Sequence, residues 1–206
     1  KTEVKSSDGS VGVSQSTNAT GATVYDLAVN TDGTTITKDA DGKLKANPTT
    51  LNVPSTGTNA GKVTAPAADA GKLVTAGDIA NAINNSGFTL TTSASGGEAS
   101  GASTLIKPGN TMTIDAGKNI SISQSGGKVS IATKDQVEFS QVTVKDAAGN
   151  STVTKSNGVT ITPAGGNAVS LTDKGLNNGG NKITNVADGV NDDDAVTVRQ
   201  LKNRLG

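Results

Sequence analysis

The feature of this chain that most constrains its fold is the C-terminal segment 181–206, which ends in an amphipathic helix too short to be stable alone. Val198, Leu201 and Leu205 are spaced three and then four residues apart, which is the a/d pattern of a coiled coil. A helix of roughly a dozen residues is marginal in water without a partner surface. We therefore expect this segment to associate with copies of itself.

Charged residues flank this apolar stripe with the signs that a helix dipole favours. We expect the acidic run at 192–194 to lie at the helix N-terminus, and the basic residues Arg199, Lys202 and Arg204 to lie toward its C-terminus. The alternative is an ordinary amphipathic helix that packs on its own domain. The intermolecular coiled coil is favoured because no later segment follows the helix as a partner.

The scarcity of aromatic residues points in the same direction. Tyr25, Phe88 and Phe139 are the only aromatic residues, and there is no tryptophan. Because a globular core normally takes much of its buried area from aromatic side chains, a core of valine, isoleucine, leucine and alanine is thin. Thin β-structures usually gain the missing burial by intertwining or oligomerising.

Charge and residue usage exclude several classes of function. The chain has 18 basic and 18 acidic residues, so no basic surplus favours nucleic acid or an anionic membrane. It has no histidine and no cysteine, and so lacks the commonest general base and all thiol chemistry. A Ser-Lys dyad is the main nucleophilic option left, and no such motif in a suitable helix stands out. We predict that the protein is not an enzyme and uses neither cofactor nor metal.

Two acidic clusters resemble cation sites but have simpler explanations. Asp39 and Asp41 with Gly42 resemble the start of a calcium loop that lacks the downstream glutamate, and a hairpin turn accounts for them. The run at 192–194 is attributed to helix capping rather than to a cation. Glycan sequons begin at Asn18, Asn84, Asn119 and Asn150. They arise by chance in such a composition, and we expect them to be unused.

The order of elements along the chain predicts a mainly β protein with one short internal helix. Residues 1–70 form a polar, β-rich segment followed by a proline-containing connector. A helix is predicted over residues 75–86, with Thr75 and Asp78 as a capping box and Gly87 at the C′ position. After residue 104, apolar residues alternate with polar ones and strands recur about every ten residues, which is typical of an all-β module.

Two stretches near the C-terminus, Asn181-Lys-Ile-Thr-Asn-Val-Ala-Asp-Gly-Val and Asp194-Ala-Val-Thr-Val-Arg-Gln-Leu, closely resemble the neck of trimeric autotransporter adhesins. These proteins are bacterial outer-membrane surface fibres. In the family, the neck pulls three β-rich heads together and feeds them into a coiled-coil stalk. The resemblance implies a homotrimer whose contacts include Ile183, Val186, Val198, Leu201 and Leu205.

Two stretches before the neck look like head modules of the Hia/Hsf type of this family. Residues 71–134 look like the tryptophan-ring module, and residues 135–180, with Lys174-Gly175, look like the KG module. Phe88 stands where the first module usually has tryptophan, so the resemblance implies a ring core at Phe88 with smaller aromatic packing. The expected fold is therefore a set of intertwined, homotrimeric, β-prism-like heads. The expected division is residues 1–70, 71–134, 135–180, and a neck with the start of a coiled coil at 181–206.

The resemblance implies a passenger fragment of an adhesin at the bacterial cell surface, on the outer membrane, that attaches to host cells or extracellular matrix during virulence. The alternative is a structural spacer that displays a more distal binding head. No apolar run approaches the roughly 18 residues of a membrane span, so anchoring is expected only through a domain outside this sequence. The receptor and its binding residues remain unknown, and Asp146 with Ala148, or Asp78, are only candidate positions.

Overall fold

The computed structural model describes all 206 residues, and the chain is mainly β with two short α-helices. This architecture was predicted from the sequence. The chain divides into two compact units, Lys1–Ile114 and Asp115–Gly206. The predicted module 71–134 spans residues of both units, and the division into four segments stays a prediction.

The first unit contains three hairpins and one helix. Its elements are β1 (Val11–Thr17), β2 (Thr23–Val29), β3 (Ile36–Lys38), β4 (Leu44–Ala46), α1 (Ala76–Asn85), β5 (Phe88–Leu90) and β6 (Thr104–Ile106), with a 3-10 turn at Ala67–Asp69. The strands pair as β1–β2, β3–β4 and β5–β6, and every pair is antiparallel.

The second unit contains one hairpin, one larger sheet and the C-terminal helix. Its elements are β7 (Ile120–Ser125), β8 (Lys128–Thr133), β9 (Gln141–Lys145), β10 (Ser151–Lys155), β11 (Gly158–Thr162), β12 (Val169–Thr172), β13 (Gly175–Asn177) and α2 (Val198–Leu205). Strands β7 and β8 form a hairpin, and β9 to β13 form a five-stranded antiparallel meander in chain order. Every strand therefore pairs only with strands adjacent to it in the sequence.

The acidic cluster at 39–41 is a hairpin turn, as expected. The Asp39 carboxylate accepts hydrogen bonds from the amides of Asp41 and Lys43, each at 2.9 Å, between strands β3 and β4. Gly42 has a φ of 80°, a left-handed conformation that glycine adopts without cost. The carboxylate is therefore used to close the turn.

Helix α1 has the predicted position, but two of its predicted end contacts are wrong. Thr75 caps it by accepting a hydrogen bond from the Asp78 amide at 3.2 Å, whereas the Asp78 carboxylate accepts from the Leu51 amide at 2.9 Å. The capping box is thus only half formed. Gly87 does not have the positive φ, and so lacks the left-handed backbone, of a C′ glycine.

Gly87 is instead required by close backbone packing. A Cβ atom on it would collide with the carbonyl group of Ile106, and its amide donates to the Gly61 carbonyl oxygen at 3.1 Å. Gly61 has a φ of 77° and packs against Gly87 in the same way. Together with the bond from Leu51 to Asp78, this packing ties the irregular connector before residue 71 to both ends of α1.

A single chain has almost no hydrophobic core. Ala82 is the one apolar residue that is buried, at 5% exposure. The solvent-accessible surface is 16376 Å² for a mass of 20.3 kDa, whereas a compact monomer of that mass exposes about 8,800 Å². The strands are formed and paired, but their apolar faces are left uncovered by the chain itself.

Candidate trimerisation site

Helix α2 begins at Val198 and is preceded by a complete capping box. The Thr197 hydroxyl accepts from the Gln200 amide at 3.2 Å, and the Gln200 side-chain oxygen accepts from the Thr197 amide at 3.2 Å. This pair satisfies two of the amides that a helix N-terminus leaves free. Thr197 with Gln200 three residues later is a sequence signature of a helix start that our sequence analysis missed.

The expected position of the acidic run is wrong. No acidic residue lies in the first turn of α2, because Asp192, Asp193 and Asp194 all precede the Thr197 cap. The Asp194 carboxylate instead accepts hydrogen bonds from the amides of Asn191 and Val190, and these bonds lower its pKa. Asp194 therefore closes a turn ahead of the helix.

The basic residues of α2 are divided between its ends. Lys202 and Arg204 lie in the last turn as expected, whereas Arg199 lies in the first turn. The Arg199 guanidinium contacts the Asp188 carboxylate at 2.6 Å, and the Thr197 hydroxyl also donates to this carboxylate. Both bonds lower the pKa of Asp188. Arg199 thus holds the chain ahead of the helix instead of complementing its dipole.

A second contact closes the same loop. The Gln200 side-chain amide donates to the Gly189 carbonyl oxygen at 2.8 Å, and its oxygen accepts from the Gly189 amide at 2.9 Å. Gln200 therefore clamps the backbone of Gly189 against the helix start. We call the loop 188–197, held by Gln200 and the ion pair, the neck loop.

The predicted trimer contacts of the neck are all uncovered in the single chain. Leu205 is 79% exposed and Leu201 is 53% exposed, on one side of α2. Ile183, Val186 and Val198 are exposed as well. An eight-residue helix with its whole apolar stripe in solvent is not stable in isolation. The role of these five residues in a trimer stays a prediction.

The five-stranded sheet carries a second uncovered apolar surface. Its register places Val142, Val144, Val159, Ile161, Val169, Leu171 and Leu176 on one face, together with Thr152 and Thr154. The opposite face carries mainly threonine, serine and lysine, because side chains alternate along each strand. On the first face, which we call the apolar sheet face, Val144 is 66% exposed and Leu171 is 59% exposed.

The hairpins repeat this two-sided pattern. In β7–β8, Ile120, Ile122, Val129 and Ile131 share one face, opposite a row of serines. In β1–β2, Val13 pairs with Leu27 and Val11 with Val29, whereas Ser14 pairs with Asp26 on the other side. Isolated two-stranded hairpins are at best marginally stable in water, so these faces also need a partner surface.

Phe88, the predicted ring core, lies at the start of β5 and pairs with Ile106. It is 55% exposed, and Ile79 and Ile83 of the preceding helix are exposed as well. The structure thus places a phenylalanine and two isoleucines on uncovered surface in one stretch of chain. Whether Phe88 forms a ring core stays a prediction.

The other candidate positions are engaged within the chain. The Asp146 carboxylate accepts from the amides of Ala148 and Asn150, each at 3.0 Å, and from the Asn150 side chain, which lowers its pKa. Asp78 is bound to Leu51, as described above. No three acidic residues come together as a metal site, and no helix combines the length and hydropathy of a membrane span.

Three of the four glycan sequons also use their asparagine side chains for internal bonds. The Asn18 side-chain oxygen accepts from the backbone amides of Thr20 and Ala22, each at 3.0 Å. The Asn150 side chain accepts from the Ala164 amide at 2.9 Å, in addition to its bond to Asp146. The Asn119 side chain makes two hydrogen bonds to the backbone of Glu138. These amides therefore have structural roles.

Comparison with known proteins supports the resemblance seen in the neck. Residues 182–204 match the family described as the coiled stalk of trimeric autotransporter adhesin. The match covers the six residues before the neck loop, the whole neck loop, and α2 except for Leu205. The resemblance of this chain to trimeric autotransporter adhesins is thereby confirmed. No curated protein matches the chain.

Three solved structures are similar to parts of the chain. N-terminal domain 1 of VompD from Bartonella quintana is 23% identical, with a TM-score of 0.43, over 57% of this chain and 97% of that one. Putative domain 1 of Hsf, residues 1608–1749, is 19% identical, with a TM-score of 0.25, over 67% of this chain and 100% of that one. The C-terminal stalk of AtaA from Acinetobacter sp. Tol 5, fused to GCN4 adaptors, is 27% identical, with a TM-score of 0.25, over 46% of this chain and 30% of that one.

Proposed function

We propose that this chain is part of a homotrimeric adhesin fibre at the bacterial outer surface, and that three copies complete its core. The observation that supports this most directly is the apolar sheet face, which the chain builds in register and leaves in solvent. The surface of the single chain is nearly twice that of a compact monomer of its mass. A folded chain with one buried apolar residue needs other copies to reach ordinary stability.

In this arrangement the apolar sheet faces of three copies pack around a common axis, and the polar faces point to solvent. The result is the β-prism-like head expected from the resemblance. The neck contributes the contacts of Ile183 and Val186, followed by the stripe of Val198, Leu201 and Leu205 as the first turns of a coiled coil. Phe88 from each copy forms the aromatic core of the preceding module.

The trimer is tested by measuring the mass of the chain with its coiled coil continued in register beyond Leu205. Light scattering is expected to give three times 20.3 kDa. A monomer under these conditions would refute the proposal. The bare chain is a weaker test, because the helix ends after about one heptad.

The position of the apolar sheet face is tested by a matched pair of single cysteines in a chain that has none. Val144→Cys lies on the apolar sheet face and Thr143→Cys, its neighbour in β9, on the polar face, and both positions are exposed in the single chain. In the trimer, a thiol reagent is expected to label Thr143→Cys rapidly and Val144→Cys several-fold more slowly. Equal labelling rates would place the trimer contact elsewhere.

Attachment to host cells or matrix is the functional part of the proposal. The soluble trimer is expected to bind epithelial cells or matrix proteins saturably. A trimer with the same neck and an unrelated trimeric head serves as the control. Binding no greater than that of the control would contradict attachment by this fragment and would leave the spacer role, in which these modules only display a distal head.

A further inference from the structure

The segment between β8 and β9 is bonded through the Asn119 side chain to the residue that precedes β7. The Asn119 side-chain amide donates to the Glu138 carbonyl oxygen at 2.9 Å, and its oxygen accepts from the Glu138 amide at 2.9 Å. The Asn119 side chain thus makes with the Glu138 backbone the same pair of N–H···O bonds that two opposite residues make between antiparallel strands. We call this pair of bonds the Asn119 clasp.

The backbone around Asn119 is shaped for this contact. Asn119 has a φ of 71°, one of two residues other than glycine with positive φ. Asparagine tolerates this left-handed region better than most residues, but it still adopts it at a cost that surrounding contacts must offset. The Asn119 carbonyl oxygen accepts from the Lys134 amide at 2.8 Å, directly beyond the last pair of the hairpin. Asn119 is therefore held by the hairpin on one side and holds Glu138 on the other.

Phe139 follows the clasped residue and is the most exposed aromatic side chain of the chain, at 64%. Its backbone is restrained on both sides, by the clasp at Glu138 and by the pairing of β9 from Gln141 onward. Because its backbone is already restrained, burying Phe139 would cost little further backbone freedom, which is the property of a preorganised interface anchor. Folding of the single chain leaves most of the Phe139 side chain in solvent.

We infer that Phe139 is an aromatic anchor that a second copy of this chain buries, and that the Asn119 clasp positions it. This inference rests on the proposed trimer. Val142 lies three residues after Phe139 and belongs to the apolar sheet face, so the anchor is continuous along the chain with the proposed interface. Near Phe139, the Lys118 ammonium and the Glu138 carboxylate form an ion pair with an N–O distance of 3.7 Å. Their charges cancel, so this surface has no net charge that would attract a charged ligand. A copy of this chain, whose net charge is zero, is the occupant that fits.

The anchor is tested with tryptophan as a reporter, because the chain contains none. Phe139→Trp is compared with Thr143→Trp on the polar face of β9, in the chain with its coiled coil continued beyond Leu205. We expect the trimer of F139W to emit at shorter wavelength and to be quenched several-fold less by acrylamide than the trimer of T143W. Equal quenching in chains shown by light scattering to be trimers would overturn the inference and leave the trimer intact. A chain that stays monomeric would overturn both.

The clasp is tested in the F139W background by two substitutions at residue 119. Asn119→Gly keeps the left-handed backbone without cost and removes both hydrogen bonds. Asn119→Asp keeps only the acceptor. We expect exchange of the Glu138 amide to accelerate most in N119G and less in N119D, and acrylamide quenching to increase in the same order. If exchange accelerates in N119G but quenching is unchanged, Phe139 is not positioned by the clasp.

Discussion

Replacing Leu171 with alanine is expected to weaken the trimer in a way that a matched change on the opposite face does not. Leu171 pairs with Val159 and Leu176 on the apolar sheet face, and it is 59% exposed in the single chain. Ser170, its neighbour in β12, pairs with Thr160 and Asn177 on the polar face. The two substitutions share a strand and differ only in the face they change.

The size of the effect follows from the exposed fraction. Burying a leucine side chain completely is worth about 1.5–3 kcal/mol. The exposed part of Leu171 therefore contributes about 1–2 kcal/mol per chain, or about 3–5 kcal/mol per trimer. Because the midpoint concentration of a monomer–trimer equilibrium varies as the square root of the dissociation constant, Leu171→Ala should raise it about 10- to 60-fold.

Sedimentation or light scattering over a dilution series measures this midpoint. Ser170→Ala should leave it within about twofold, since surface substitutions usually change stability by less than about 0.5 kcal/mol. If both substitutions leave the midpoint within about twofold, the apolar sheet face does not lie in the trimer contact. If both raise the midpoint about tenfold or more, the strand has lost stability as a whole and the effect is not specific to one face.

Three further predictions concern local contacts. Gly87→Ala should destabilise the chain by about 1–3 kcal/mol or more in urea unfolding, because its Cβ would meet the Ile106 carbonyl group, whereas Gly77→Ala in open space on α1 should be neutral or stabilising. Gln200→Ala should speed hydrogen exchange of the Gly189 amide, whereas Gln200→Glu, which keeps the oxygen that accepts from this amide and loses only the bond to the Gly189 carbonyl oxygen, should speed it less. The Arg199 guanidinium lowers the pKa of Asp188 below its usual 3.8. The stabilisation from this ion pair is therefore complete above about pH 4 and is lost as the pH falls through the lower pKa of the folded state. NMR contacts of Arg199 should persist at pH 5–8 and disappear only in acid below about pH 4.

The strands were predictable because alternation of apolar and polar residues reports which side chains share a face. Ile120 with Ile122, and Val142 with Val144, lie in strands as this pattern predicts. Met112 and Ile114 show the same alternation, yet residues 111–117 form no strand. Alternation describes one chain segment, whereas a strand also needs a backbone partner, and the single sequence does not indicate where that partner is absent.

The contacts that shape the neck loop and the clasp were not predictable by local pattern. Gln200 reaches Gly189 across eleven positions, and Asn119 reaches Glu138 across nineteen. In each case a polar side chain binds backbone groups, which any residue offers, so the partner leaves no mark in the sequence. The acidic run at 192–194 was misplaced for a different reason. Its charge suggested a helix start, but the capping box at Thr197 and Gln200 begins the helix later.

In the proposed trimer, the contacts of the neck and those of the apolar sheet face support each other. The eight residues of α2 supply about one heptad of these contacts, and a helix of that length is marginal without a partner surface. The apolar sheet faces would meet only when three chains have come together. Association through either surface raises the effective concentration of the other, so the second set of contacts forms without a further loss of translational freedom. The neck loop strengthens this coupling, because Gln200 and the Asp188–Arg199 pair fix the start of α2 on the chain that leads from β13. The folding unit in this reading is therefore the assembled trimer, with each chain supplying paired strands and an uncovered face.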